Sequence, residues 1–316
     1  MATVALGLAL LATSPVYAKR PASNTSGSTA TSTFVIQRLA NPDRTVVYSS
    51  AGTWLATFTD NARTVTLAGP TRTFAEPATT SATVKTGVWV RLLKTPFNGV
   101  LDTTWLSTEL TDAAPDVLGV AAQYIDGAPS LYNANNLRIA GDASYGPLLS
   151  DGTRAAGSDF NDYLGITRTY SSGTSDAPEA NELGSLDCSG FARMVFGYRL
   201  GIPLSLSADG GKSMPRHSWD IAQSAPGVVV IPNTGARPSS RSALQPGDLL
   251  FFDASTSDGT SIDHVGIYLG RDSLGHDRFI SSRKTANGPT LGDLGGLSVL
   301  DGSGLYASSF REARRV

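Results

Sequence analysis

Leu186-Asp187-Cys188-Ser189-Gly190-Phe191-Ala192-Arg193-Met194-Val195-Phe196-Gly197-Tyr198 holds the only cysteine of the chain. Phe191, Met194, Val195 and Tyr198 recur at the spacing of one buried helix face, and Gly201 just beyond them supplies a stop. Asp187 is suited to cap the helix start, which puts Cys188 in the first turn. Free N–H groups and the helix dipole favour an anion there, so the position predicts a lowered thiol pKa and a ready oxyanion hole. Free cysteine is also among the most buried residue types. The segment by itself therefore leaves a nucleophile and a structural cysteine equally open.

A cysteine nucleophile needs a base, and the chain offers His217, His264 and His276. His264 opens His264-Val265-Gly266-Ile267-Tyr268-Leu269, whose alternation predicts a strand with Val265, Ile267 and Leu269 on one face and His264, Gly266 and Tyr268 on the other. Upstream, Leu244-Gln245-Pro246-Gly247-Asp248 reads as a tight turn feeding a buried strand, Leu249-Leu250-Phe251-Phe252. The three histidines and one cysteine lack the clustered spacing of a zinc site, so no metal is expected.

These three segments, in this order, resemble the NlpC/P60 family of papain-like cysteine peptidases, in which a DCSG motif opens the nucleophile helix and an HVGIYLG-like strand carries the histidine. The similarity runs from about residue 184 to 279. It implies an α+β fold: a papain-like NlpC/P60 catalytic domain, its nucleophile helix packed on an antiparallel sheet, preceded by a small β-rich domain. It further implies that Cys188 is the nucleophile and His264 the general base and later acid, and that Asp187 and Ser189 hold the free amine of a substrate peptide.

Two places depart from the family pattern. The third catalytic position, often histidine, falls on Ser281 in Phe279-Ile280-Ser281-Ser282, where a hydroxyl orients an imidazole less firmly than a second histidine would. The tyrosine and paired glycines usual before the nucleophile have no clean counterpart. Tyr163 and Tyr170 are the candidates for a substrate-side hydroxyl, with ordinary half-buried tyrosines as the alternative. His276 reads as a turn residue, with replacement of the missing orienter as the alternative. His217 follows Pro215-Arg216, a pair the family often places beside the substrate groove, so Arg216 is taken as substrate-binding and His217 as part of the groove wall.

Residues 1–18, apolar and ending in Val16-Tyr17-Ala18, read as a secretory signal, too short for a comfortable membrane span. Residues 19–33, rich in Ser, Thr, Ala and Gly, read as a flexible linker. Residues 34–111 show short Thr- and Val-rich alternations at 45–48, 54–58, 64–67 and 88–92, the texture of a β-rich domain. Its Trp54 and Trp89, and Trp105 beyond them, could stack on a wall polymer or simply pack a core. Residues 112–316 form the catalytic domain, entered by a helix with Val117, Val120, Ala121 and Tyr124 on one face. The stretch 126–183 is expected to wall the cleft with loops.

Charged residues are sparse, and a formal net charge of −2 leaves no basic footprint for nucleic acid. A secreted chain with one cysteine has no internal disulfide, which leaves the thiol free for chemistry. The expectation is a secreted or wall-associated bacterial monomer without cofactor or stable membrane insertion. By resemblance it hydrolyses peptidoglycan stem peptides after a D-glutamyl residue through a Cys188 thioacyl intermediate. The alternatives are an N-acyl amidase or transpeptidase on the same scaffold, and a catalytically weak wall-binding protein.

Overall fold

A computed structural model describes residues 34–316, so the signal and linker expected over 1–18 and 19–33 lie outside the described residues. Five antiparallel strands open the described chain in simple neighbour order: β1 (Val35–Leu39), β2 (Arg44–Tyr48), β3 (Trp54–Thr59), β4 (Thr64–Ala75) and β5 (Thr83–Leu92). The four expected alternations all fall in strands, although β4 and β5 run well beyond the segments their patterns marked. Val47, Ala56, Phe58, Val65 and Leu67 build the core of this sheet with Phe97 and Leu106, the latter from α1 (Thr103–Glu109). Trp105 packs edge-on against Phe58 with ring centroids 5.7 Å apart. Trp89 lies under the Arg72 guanidinium at 4.0 Å. Both indoles thus serve packing inside the fold.

The helical turn expected near Pro115 is α2 (Val117–Ala121), capped by the Asp116 side chain. From there to Cys188 the chain is mostly loop, holding the hairpins β6 (Leu131–Tyr132) with β7 (Arg138–Ala140) and β8 (Arg168–Thr169) with β9 (Ser175–Asp176), and the short α3 (Phe160–Leu164). Then come α4 (Cys188–Ala192), continued as a wider π-type turn through Arg199, and α5 (Ser218–Ser224). Gly201 stands at φ +80°, the left-handed conformation that ends the helix where the sequence placed its stop.

The second sheet has the order β10 (Val228–Ile231), β15 (Phe310–Arg315), β11 (Leu249–Phe252), β12 (His264–Arg271), β13 (Asp277–Arg283), β14 (Gly288–Thr290), every neighbour antiparallel. The last strand thereby inserts between two earlier ones. Alternation decides the layers. Leu249, Phe251, Val265, Ile267, Leu269 and Ile280 face the helix carrying Phe191, Met194 and Val195. Leu250, Phe252, Tyr268 and Phe279 face the other way, against Leu300, Phe310 and Tyr306, the last from α6 (Leu305–Ser309). Fully burying one such aromatic or aliphatic side chain stabilises the fold by about 1.5–3 kcal/mol, so both faces of the sheet are strongly held.

The described architecture is α+β, a β-rich N-terminal region followed by a mixed helix and sheet region with the Cys188 helix on an antiparallel sheet. Phe74, Val84 and Val90 of the first sheet join the same core as α4. The chain end ties them further: the Val316 carbonyl accepts from the N–H groups of Arg63 and Thr64 at 2.8 and 2.7 Å. The Arg315 guanidinium bonds both Asp248 oxygens at 2.8 Å and donates to Thr59. Among the described residues, no helix is long and apolar enough to cross a membrane.

Candidate active site

Cys188 begins α4 as the sequence implied, because the Asp187 carboxylate accepts from the Gly190 N–H at 2.7 Å and caps the helix. The Sγ atom lies 3.8 Å from the Asp263 carbonyl, and the N–H groups of Val265 and Ser189 approach it. The thiol therefore rests against the backbone on both sides of His264. That proximity depends on two long-range placements, α4 against β12 and the register of β11 with β12, which pairs Phe252 with His264.

The expected low thiol pKa is not what the structure gives. Burial first, then the neighbouring Asp187 charge, push the Cys188 thiol up to about 12, against the opposing N–H groups and Arg216. The residue that caps the helix thus offsets the anion-favouring field of the helix start. The His264 imidazole moves in the other direction: burial and then the Arg283 guanidinium bring it down to about 3. At neutral pH the pair rests as thiol and neutral imidazole.

Asp187 receives five donors: the Gly190 and Gly157 N–H groups, the Ser189 hydroxyl, and both terminal nitrogens of Arg216, the closest at 2.8 Å. The same guanidinium donates to the Ser189 hydroxyl at 2.7 Å and to the Gly157 carbonyl. Burial opposes its charge, but Asp187 and Asp159 outweigh that and keep Arg216 firmly protonated. Beside it the fully buried Arg193, one turn into the helix, clasps Asp159 at 2.9–3.0 Å and donates to the Tyr170 hydroxyl. Asp187, Ser189 and Arg216 are therefore brought together as one closed network at the start of α4.

His264 is held differently. Its ring packs against Tyr306 at 5.1 Å and Phe252 at 5.8 Å, and its buried Nε2 has no hydrogen-bond partner among the described residues. Ser281, expected to orient it, instead accepts from the Arg283 Nε at 3.0 Å. The physical reason is that Arg283 follows two residues later on the same strand face and reaches back over its neighbour. Arg283 also donates to the Gly296 carbonyl and the Ser298 hydroxyl, both at 2.6 Å. His276 lies in the turn between β12 and β13, at the far end of β12 from His264, roughly 20 Å along the strand. His217 stacks on Trp219 with centroids 4.2 Å apart and stays half exposed. Tyr163 is not part of the site: its hydroxyl donates to the Gly141 carbonyl at 3.0 Å and its ring meets Tyr124 in the core.

A cavity of about 430 Å³ opens over His264, with Tyr145, Asp263, Arg283, Lys284 and Tyr306 in its wall. Cys188, 6% exposed, is not part of that wall. Tyr145 and Tyr306 escaped sequence reading. Burial, then Cys188 and Asp187, raise the Tyr145 phenol's pKa. Burial raises that of Tyr306 too, with Cys188 adding to it. For Tyr145 a signal existed, a tyrosine directly followed by Gly146, whose backbone passes so close to the Ala155 carbonyl that no side chain fits. For Tyr306 there was none, since nothing local ties it to His264.

Two acidic groups among the described residues bring carboxylate oxygens within 4.8 Å of one another, Asp162 with Glu179 and Glu182, and Asp253 with Asp258 and Asp263. Neither includes Cys188 or His264. In the second group Asp263 already accepts the Ala254 and Ser255 N–H groups.

A thiol at a helix start, set against a histidine on an antiparallel sheet, defines a papain-like arrangement. Residues 167–291, which contain Cys188, His264 and Ser281, match the model of the NlpC/P60 family. The similarity to that family rests on this segment, and Tyr145 and Tyr306 both lie outside it. Comparison with curated proteins gave no match. Among solved structures, a protein described as similar to a lipoprotein of the NLP/P60 family, from Staphylococcus aureus subsp. aureus Mu50, is 19% identical with a TM-score of 0.30. That alignment covers 67% of this chain and 47% of the other, so this chain spans less than half of that protein's length. An NlpC/P60 family protein from Bacillus cereus ATCC 10987 is 16% identical with a TM-score of 0.27, over 89% of this chain and 78% of the other.

Proposed function

We propose that the protein is a cysteine-type amide hydrolase, secreted or held at the bacterial wall, that cuts peptidoglycan stem peptides after a D-glutamyl residue. The observation that carries this reading is the Cys188 thiol lying 3.8 Å from the Asp263 carbonyl, immediately beside the base. The substrate class comes from the family match.

In this reading the Cys188 sulfur attacks the amide carbonyl while its proton passes to His264. A resting pair of thiol and neutral imidazole makes that transfer part of the attack rather than a step before it. N–H groups in the first turn of α4 stabilise the oxyanion. Protonated His264 then gives its proton to the leaving amine, and the same imidazole activates water to release the thioacyl group. Asp187, Ser189 and Arg216 fix the helix start so that these N–H groups stay aimed. Tyr145 and Tyr306 wall the cavity beside the imidazole.

The test is mass spectrometry of purified peptidoglycan fragments after incubation with the protein and with Cys188→Ala and His264→Ala. Wild type releases shortened stem peptides, and each variant loses activity by about 10³-fold or more. Unchanged fragments with wild type would sink the hydrolase reading. A wall-binding protein without turnover is the second reading, favoured by the unpartnered His264 Nε2. It predicts that fragments bind wild type and Cys188→Ala equally and leave intact.

A further inference from the structure

The loops that lead toward Cys188 hold a cluster of acids that the proposed chemistry does not use. Asp162 of α3, Glu179, and Glu182 in the turn Ala180–Glu182 each bring a carboxylate oxygen within 4.8 Å of the other two. None of the three forms an ion pair among the described residues, and the nearby Arg193 and Arg216 are engaged by Asp159 and Asp187. Asp162 is 2% exposed, so water does little to relieve its charge, whereas Glu179 stands at the surface and leaves the group open to ions. Like charges this close, one of them buried, repel unless a cation or a proton joins them.

Buried oxygens without partners gather at the same place. The Glu182 Oε2 atom has no hydrogen-bond partner among the described residues. The fully buried Ser158 faces that carboxylate with a hydroxyl that completes no hydrogen bond. Asn161, also fully buried, lays its amide against Asp162, with Nδ2 3.4 Å from Oδ1, and its own Oδ1 is unpartnered. Polar side chains shut away from water normally find partners. Here a carboxylate, a hydroxyl and an amide oxygen all lack one beside three uncompensated acids. Such an irregular set of hard oxygen donors suits Ca²⁺, which takes roughly 6–8 oxygens at about 2.3–2.6 Å, so that two oxygens on one ion lie at most about 5 Å apart. Mg²⁺ demands a regular octahedron at shorter range.

We propose that Asp162, Glu179 and Glu182 form a calcium site, with the unpartnered Asn161 and Ser158 oxygens as neutral donors, that fastens together the loops gripping the start of α4. The ion joins two stretches that meet at Cys188. On one, Asp162 accepts the Asp159 N–H at 2.7 Å, Asp159 pairs with Arg193, and the Gly157 N–H donates to Asp187 at 3.0 Å. On the other, Glu182 leads through Ser185 and Asp187 into Cys188 itself. The two stretches touch, since a side chain at Gly157 would meet Glu182 Oε1 at 3.6 Å. Only an effect of calcium on cleavage rests on the proposed function.

Calorimetric titration of CaCl₂, and separately MgCl₂, into the chelator-treated full chain at neutral pH tests this apart from any cleavage. The expected result is one saturable calcium site with Kd about 10⁻⁴–10⁻³ M, the range of extracellular modules, and binding of Mg²⁺ about tenfold weaker or more. Glu182→Gln and Glu179→Gln, the latter an exposed side chain whose loss the fold tolerates, each weaken calcium binding about tenfold or more. Asp258→Asn, in the other acidic group, leaves it unchanged. Saturating calcium raises the melting temperature of wild type and not that of Glu182→Gln. Absence of binding to wild type overturns the site and leaves a proton shared by Asp162 and Glu179 in its place. Undiminished binding in both glutamine variants, or Mg²⁺ binding as tightly as Ca²⁺, overturns it equally. Calcium binding without cleavage of any wall fragment leaves the site standing and removes the hydrolase reading. Cleavage by a protein that binds no calcium does the reverse.

Discussion

The two sides of Cys188 are built on opposite principles. Toward Asp187 and Arg216 the charged atoms around the helix start are closely partnered, with the partly buried Arg216 bonded to Asp187 and the fully buried Arg193 to Asp159. Toward His264 the imidazole is held by aromatic packing, with Nε2 unpartnered and the Arg283 guanidinium opposing its protonation more than Asp187 favours it. The thiol is positioned by directional bonds and the imidazole by shape. Directional bonds fix an atom's place to fractions of an ångström, whereas packing fixes a ring's plane and excludes water but leaves its protonation to the surroundings.

The sharpest way to break this contrast is Arg216→Ala. It strands the buried Asp187 carboxylate, and about 3–5 kcal/mol of stability should be lost in urea titrations. A loss below about 1 kcal/mol would mean that the network holds nothing. On the other side, Tyr306→Ala removes the ring that packs on His264. Cleavage should fall about 10²-fold while Tyr306→Phe stays near wild type, because the ring rather than the hydroxyl sets the imidazole's position. Equal losses in both variants would give the hydroxyl the leading part.

Proton linkage tests the same asymmetry without substrate. Unfolded His264 takes a proton near its ordinary 6.5, whereas the folded imidazole resists until about 3. The unfolded state therefore binds more protons in between, and stability drops as pH falls from 6.5 toward 3. The Cys188 thiol acts oppositely: folded it keeps its proton to about 12, against 9.0 unperturbed, so stability drops as pH rises from 9 toward 12. Melting temperatures across pH should show a shallower acid limb for His264→Gln and a shallower alkaline limb for Cys188→Ser. Limbs parallel to wild type would refute the burial of the pair. The smallest effect belongs to Ser281→Ala. It deletes the acceptor of Arg283 at a cost of about 1 kcal/mol, with the pH profile of cleavage unmoved. A displaced profile would make Ser281 the orienter after all.

Much of this was legible in the chain. Alternation in 249–252 and 264–269 marked strands whose two faces feed two cores, and Asp187 marked the helix start that it caps. The thiol's protonation was misjudged because a helix start favours anions only where water or cations remain, while Cys188 is buried beside a carboxylate. Tyr145 lies in the stretch 126–183 that reads as loop, and only the course of those loops brings it, rather than Tyr163 or Tyr170, into the cavity over His264.

The sequence by itself determined the strand and helix segments and the cap, since periodicity and local hydrogen-bonding chemistry act over a few residues. Tertiary structure alone decided that β15 inserts between β10 and β11 and that Tyr306 closes over His264. Those outcomes join residues far apart in the chain through packing and desolvation, which no local pattern encodes.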